Sequence, residues 1–359
     1  ELPSSTCVKS KLDLFLLQQT KLFFTKRRKL DQHNTGTMLQ EGSTVRLKVG
    51  ISSCLMGDEV RFDGGHKRSA FATDELTRHI DLVRFCPEVG IGMPVPRPTI
   101  RLEKHANDGS ETVEAVVPKT GEIVTTKLSE FADKIQIKAK DLSGYILCAK
   151  SPSCGMERVK LYDPETGHAR KEATGIFASR LQENNPAMPL EEDGRLNDPH
   201  LRENFIMRVY VYGQWKQIED TPTKKDLLRF HSSCKLLLLA HNQQRYRELG
   251  KRLGEADTVN AEFATQYIRD VMEALSEPAS RRNHTNVLQH IQGYFKGDLE
   301  HQQREELSDI ILQYHDGILP LMSPLTLIKH YLREFPKEYL ENQWYLNPYP
   351  VDLKLRYGL

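Results

Sequence analysis

"GYILCAKSPSCG", residues 144–155, is an apolar run followed by a turn. The run reads as a β-strand. The Ser-Pro-Ser turn places a cysteine, Cys154, directly after it. Working outward, "VRLKVGISSCLMG" (45–57) is another strand, ending in a small-residue turn, and "DLVRFCPEVG" (81–90) is a third that stops at Pro87. Between these two, "RSAFATDELTRHI" (68–80) has helical spacing, and residues 108–135 read as a hairpin followed by a helix. Strands alternating with helices predict an α/β N-terminal domain, Rossmann-like, with a mainly parallel sheet. Ligands in such sheets sit beyond the carboxyl ends of the strands. Cys54, Cys86 and Cys154 each fall at such an end, so the topology directs them toward one rim.

The bulk composition narrows the classes. The 359 residues suffice for two domains with a sizeable core in each. Fifty basic residues balance 49 acidic ones, so net charge by itself predicts neither a nucleic-acid partner nor a membrane surface. No apolar run approaches the roughly 18 residues of a membrane span. Six cysteines are spread thinly over the chain, unlike a disulfide framework, and point to a reducing, cytoplasmic setting.

Beyond "RENFIMRVYVYGQWKQI" (202–218) the texture changes. "EDTPTKKD" (219–226) is a polar, Pro-containing boundary, and nearly everything after it has helical periodicity. Residues 227–254 read as one long amphipathic helix. Residues 258–276, 281–297, 300–317 and 323–336 supply four more, for an all-α C-terminal domain of about five helices. The expected organisation is an extension over 1–37, an α/β domain over 38–212, a linker over 213–224, a helical domain over 225–345 and a tail over 346–359.

Three widely spaced thiols at one rim suit several roles. A structural zinc site needs four ligands, commonly in C-x-x-C pairs, and no such pair exists here. A three-cysteine [4Fe–4S] site leaves one iron free for substrate, and buried, unrelated thiols are the plain alternative. Glu88, two residues after Cys86, is a candidate proton carrier or an exposed loop acid. Asp63, Gly64, Gly65, His66 and Lys67 form a Gly-Gly segment able to cradle a phosphate or a base edge, or an ordinary turn. Ser151, three residues before Cys154, has a hydroxyl able to hydrogen-bond a cluster sulfur or a substrate, or is a turn former.

The segments "ISSCLMGDEVRFDGGHK", "FCPEVGIGMPVPRP", "SPSCG" and "EEDGRLNDPHLRENFIMR", in that order, resemble the TudS-type thiouracil desulfidase family over roughly residues 46–210. The helical remainder resembles the YbgA-like domain through "FHSSCKLLLLAHNQQRYRELG" and "HTNVLQHIQGYFKGDL". The fusion is similar to the RudS tRNA 4-thiouridine desulfidases. The resemblance implies a [4Fe–4S] cluster held by Cys54, Cys86 and Cys154 with one iron not ligated by protein. It places Glu88 and Ser151 at the catalytic acid/base and substrate-side serine. Cys148 matches no ligand position and reads as a buried strand residue. Met56 stands where the family pattern has Leu, a volume-conserving change.

The helical domain bears on the substrate. Lys235, Arg245, Arg247, Lys251 and Arg252 belong to a markedly basic segment opposed only by Asp226 and Glu248. Such a segment tracks phosphates in a nucleic-acid binder and is otherwise a solvated helix face. The expectation is conversion of 4-thiouridine in tRNA to uridine with release of hydrosulfide. Free thiouracil or 4-thio-UMP is the alternative substrate. A non-catalytic iron–sulfur RNA-binding regulator is the reading from another class.

Overall fold

In the computed structural model, residues 46–107, 110–138 and 140–356 are described. The expected extension over 1–37 lies outside them. The first half of the chain alternates strands and helices: β1 (Lys48–Ser52), β2 (Asp81–Phe85), α1 (Pro87–Gly90), β3 (Arg101–Asn107), β4 (Ser110–Val117), β5 (Glu122–Ile123), α2 (Thr125–Lys138), β6 (Leu142–Leu147), β7 (Val159–Tyr162), β8 (Ala169–Ala173), α3 (Ile176–Asn184) and β9 (Leu190–Glu192). Two sheets result. The first has the order β2-β1-β6-β9 and every pairing in it is parallel. β6 is buried along its whole length, as a strand covered on both faces must be. Gly50 of β1 faces Tyr145 of β6, and a Cβ there would stand 2.2 Å from the tyrosine ring, so only glycine admits that ring.

The second sheet, β5-β4-β3-β7-β8, is mixed and closes over a smaller core of Ile100, Leu102, Ala115, Val117, Leu128 and Val159. Residues 68–80 form a π-turn (Phe71–Glu75) and a 3-10 turn (Leu76–Arg78) in place of the expected regular helix.

α4 (Pro199–Lys216) follows, capped by the Asp198 side chain. It runs past residue 212, so the connection to the helical part is the shorter stretch 217–223. This helix is buried nearly all round, because it packs on both halves of the molecule. Val209 meets Gly144 of β6, while Asn204 donates to the Leu275 carbonyl at 3.0 Å. One continuous core therefore joins the α/β and helical parts.

The helical part comprises α5 (Lys224–His241), α6 (Gln243–Glu255), α7 (Ala261–Ala274), α8 (Arg281–Gly293), α9 (His301–His315), α10 (Met322–Glu334) and α11 (Glu338–Glu341). The single helix expected over 227–254 is two. Asn242 adopts extended backbone, and its side chain accepts the Arg245 amide proton to start α6 afresh. The expected tail is packed: Tyr345, Leu346, Tyr349, Leu353 and Leu355 are buried, and Arg356 and Tyr349 both bond Glu203 of α4. No helix among the described residues is long and apolar enough to cross a membrane.

Candidate active site

Three parallel strands end at one cavity of about 390 Å³, within the ~300–1,000 Å³ typical of small-molecule sites. Past the end of β1, Cys54 lies in a 3-10 turn (Ser53–Met56), where its carbonyl accepts the Lys67 amide at 2.9 Å. Cys86 follows β2 and stands immediately before α1, with Pro87 at the first helical position and Glu88 next. Cys148 follows β6, and Cys154 comes after the turn. All four thiols line the cavity, with Lys67, Glu88, Arg97 and Ser151.

The turn before Cys154 is held from two sides. Ser151 Oγ accepts the amides of Ser153 (3.2 Å) and Cys154 (3.1 Å), leaving its own O–H to donate elsewhere in the cavity. From outside, the start of α3 donates to the turn: Ile176 N–H to the Pro152 carbonyl and Ala178 N–H to the Ser153 carbonyl, both at 3.1 Å. Gly175 lies against the same turn so closely that a Cβ would be 2.6 Å from the Ser153 carbonyl.

Glu88 is held on both oxygens. Oε2 accepts from Arg97 Nε (2.8 Å) and Nη2 (2.6 Å), and Oε1 accepts the Ser153 hydroxyl at 3.0 Å. The Arg97 side chain is 2% exposed and also donates to the Val60 carbonyl. Across the cavity Lys67 pairs with Asp193 at 2.8 Å, and Asp193 accepts the Ala149 amide.

The thiols are electrostatically awkward alone. Burial pushes Cys86 and Cys154 upward. Cys54 and Cys148 share a hydrogen bond that raises the first and lowers the second, with Lys67 adding to the lowering. The Tyr145 hydroxyl, fully buried, has no hydrogen-bond partner among the described residues and lies within electrostatic reach of Cys154, Cys86 and Cys54. These thiols are the soft donors that a thiophilic metal prefers. Among the described residues no three His, Cys, Asp or Glu side chains close on a single ion.

Other expected residues fall elsewhere. Of the Gly-Gly segment only Lys67 lines the cavity. Asp63 uses its carboxylate to hold the Gly65 amide, Gly64 takes the left-handed turn position, and His66 is exposed. The five cations expected to meet RNA lie on α5 and α6, outside the cavity. Arg245 pairs with Glu248 and Glu273, Lys251 with Glu255 and Arg252 with Asp270. Lys235 is half-buried and Arg247 exposed. Phe230, Tyr267 and Phe295 are core residues. Sequence reasoning missed Arg97, Ser153, Asp193 and Tyr145. The proline-bracketed arginine of "PVPRP" and the acid of "EEDG" were the available signals.

Comparison with known proteins matches residues 49–193 to the family described as "2-thiouracil desulfurase" and residues 235–350 to "Protein of unknown function (DUF1722)". The uncharacterized protein YbgA of Escherichia coli (strain K12) is 33% identical over 166 residues, 45% of this chain and 98% of that protein. The uncharacterized protein YbbK of Bacillus subtilis (strain 168) is 34% identical over 139 residues, 37% of this chain and 88% of that protein. A solved structure titled "[4Fe-4S]-dependent thiouracil desulfidase TudS" is 25% identical, covering 42% of this chain and 94% of that one, with a TM-score of 0.34. The chain belongs to the 2-thiouracil desulfurase family through its cysteine-bearing α/β part, and to the YbgA-like DUF1722 family through its helical part.

Proposed function

We propose that the protein is a [4Fe–4S]-dependent desulfidase that converts 4-thiouridine in tRNA to uridine and releases hydrosulfide in the cytoplasm. One observation carries the reading: thiols from three separate strand ends and a carboxylate fixed by Arg97 and Ser153 line one cavity.

The residues fit the cluster. Buried thiols held above their ordinary range gain most from a cation that binds them as thiolates. The orphaned Tyr145 hydroxyl is a donor awaiting an acceptor among the same thiols. Cys54, Cys86 and Cys154 would hold the cluster. When bound, the cluster supplies a soft Lewis-acidic iron, free of protein ligands, for the thiocarbonyl sulfur.

The chain's own groups handle protons. Glu88, oriented by Arg97 and Ser153, accepts a proton from the water that attacks C4 and returns it as sulfur departs. Ser151 directs its free O–H at the base, and Lys67, anchored by Asp193, balances negative charge. Water supplies the oxygen, sulfur leaves as hydrosulfide, and no electrons are exchanged.

The test uses anaerobic protein with its cluster intact, given 4-thiouridine-containing tRNA or 4-thio-UMP. Loss of thiocarbonyl absorbance with matching hydrosulfide release, fastest on tRNA, is the expected result. Turnover of the nucleotide alone assigns the enzyme to salvage. No turnover of either by cluster-loaded protein leaves the RNA-binding regulator.

A further inference from the structure

The cysteine cavity does not end at its own walls. Thr99, Ile100, Lys150 and Pro152 line both it and a second, larger hollow of about 840 Å³ on the mixed sheet. That hollow is lined by five cations, Arg101, Lys150, Arg158, Lys160 and Lys171, and among the described residues no carboxylate lines it. Arg101 pairs with Glu103 and lies over the Tyr162 ring at 5.3 Å. The other four form no ion pair among the described residues. The protein as a whole is near neutral, and the cations of α6 are mostly paired, so this concentration of free charge is local.

Two features make the groove poor for stability and good for an anion. Lys160 and Lys171 are direct cross-strand partners of the antiparallel β7–β8 pair, an arrangement in which like charges repel. Lys150 and Arg158 have φ of 66° and 55°, a left-handed backbone disfavoured for side chains other than glycine, asparagine or aspartate. Among the described residues only Lys354 shares that conformation without being glycine. The turns that flank Cys154 thus keep cations where glycine would relieve strain. Local conflict of this kind marks functional surface.

We propose that this groove binds the phosphodiester backbone of the RNA strand whose thiobase enters the cysteine cavity. The proposal rests on the desulfidase reading and adds a contact surface on the catalytic part to any that the helical part supplies. In any nucleotide the phosphate is tethered to the base through the ribose, so a phosphate site must adjoin the base site. Several cations spread along an 840 Å³ groove exceed what a single phosphate requires.

The experiment compares cluster-loaded, full-length wild type with K160Q/K171Q and R158G. Affinity for tRNA is measured by fluorescence anisotropy across a salt series. Turnover is measured on free 4-thiouracil, on 4-thio-UMP and on thiolated tRNA. For the double variant the expected outcome is at least a tenfold loss of tRNA affinity, with the salt slope reduced by about 0.7–0.9 per cation removed that contacts phosphate. Turnover of 4-thiouracil, which carries no phosphate, should be retained. R158G should also lose tRNA affinity while its thermal midpoint rises or holds, which a merely structural residue would not show. Unchanged tRNA affinity and slope in both variants overturns the proposal. Equal losses on 4-thio-UMP and tRNA overturn its strand form and assign the groove to one nucleotide phosphate. If wild type turns over none of the three, the desulfidase reading fails, while anisotropy still tests the groove.

Discussion

Arg97 places two N–H donors on one oxygen of Glu88, at 2.8 and 2.6 Å, and so leaves the other oxygen to the Ser153 hydroxyl at 3.0 Å. The carboxylate is thereby fixed in direction at the cavity wall. Its neighbours come from the Pro-rich segment after α1 and from the turn before Cys154, so the proposed acid/base group and the Cys154 thiol share one support.

Glu88→Gln preserves size but loses the proton acceptor. Turnover should fall by about 10²–10⁴, the typical contribution of a positioned acid or base, while iron content stays at the wild-type level. Unchanged turnover would remove Glu88 from the mechanism. Arg97→Ala should also abolish turnover and, in addition, lower stability by roughly 3 kcal/mol, because it strands a carboxylate beside a vacated buried site. Urea denaturation of both variants separates the two effects.

The four thiols at the cavity should not be equivalent. Cys54→Ala, Cys86→Ala and Cys154→Ala are each expected to lose the cluster's visible absorbance and most bound iron. Cys148→Ala should retain both, since this thiol bonds Cys54 from the end of β6 and matches no ligand position. Iron analysis of the anaerobic proteins decides. Loss of iron in Cys148→Ala would raise the ligand count to four and remove the open position.

Gly175→Ala tests the support of Cys154 without touching the cavity. A methyl group 2.6 Å from the Ser153 carbonyl forces the turn away from α3. Overpacking of this kind destabilises by about 1–3 kcal/mol. The expected result is a folded protein with reduced iron loading. Full loading at wild-type stability would show that the turn has room to shift without moving the thiol.

Stability of the helical part should weaken in mild acid. Burial pushes His231 down to about 4 and His284 well below its ordinary value, so both are neutral in the fold. The unfolded chain protonates near pH 6.5. Stability is therefore fully present above about pH 6.5 and is lost as the pH falls from there toward about 4, with His231 contributing up to roughly 3 kcal/mol. Urea midpoints measured between about pH 7.5 and 5 should fall, and His231→Gln should flatten the slope. A pH-independent midpoint would contradict the buried, neutral assignment.

Strand ends, cysteines and the break in texture near residue 220 were legible because each depends on local pattern. The parallel sheet, the hairpin over β4 and β5 and the helical second half followed from apolar runs, turn residues and periodicity. The single long helix over 227–254 failed at Asn242, where one side chain capping its own downstream amide outweighed continuous amphipathic spacing. The boundary at 212 failed because α4 is buried on nearly every side, with Glu203 and Asn204 among its buried residues, and a helix without one distinct apolar stripe gives no sign of which neighbours it will serve.

The sequence by itself determined the parts of the site: three thiols each following a strand, an acid two residues after one of them, and a rigid turn ahead of another. These are properties of short segments, set by backbone preference and side-chain type. Only the tertiary structure decided what they face. It brought Arg97 and Ser153 to Glu88, paired Arg245, Lys251 and Arg252 of α6 with acids from α6 itself and α7, and gathered five other cations beside the cavity mouth. Partners distant in sequence are chosen by packing, and no local pattern records whether a charge will find its counter-ion or be left free for a ligand.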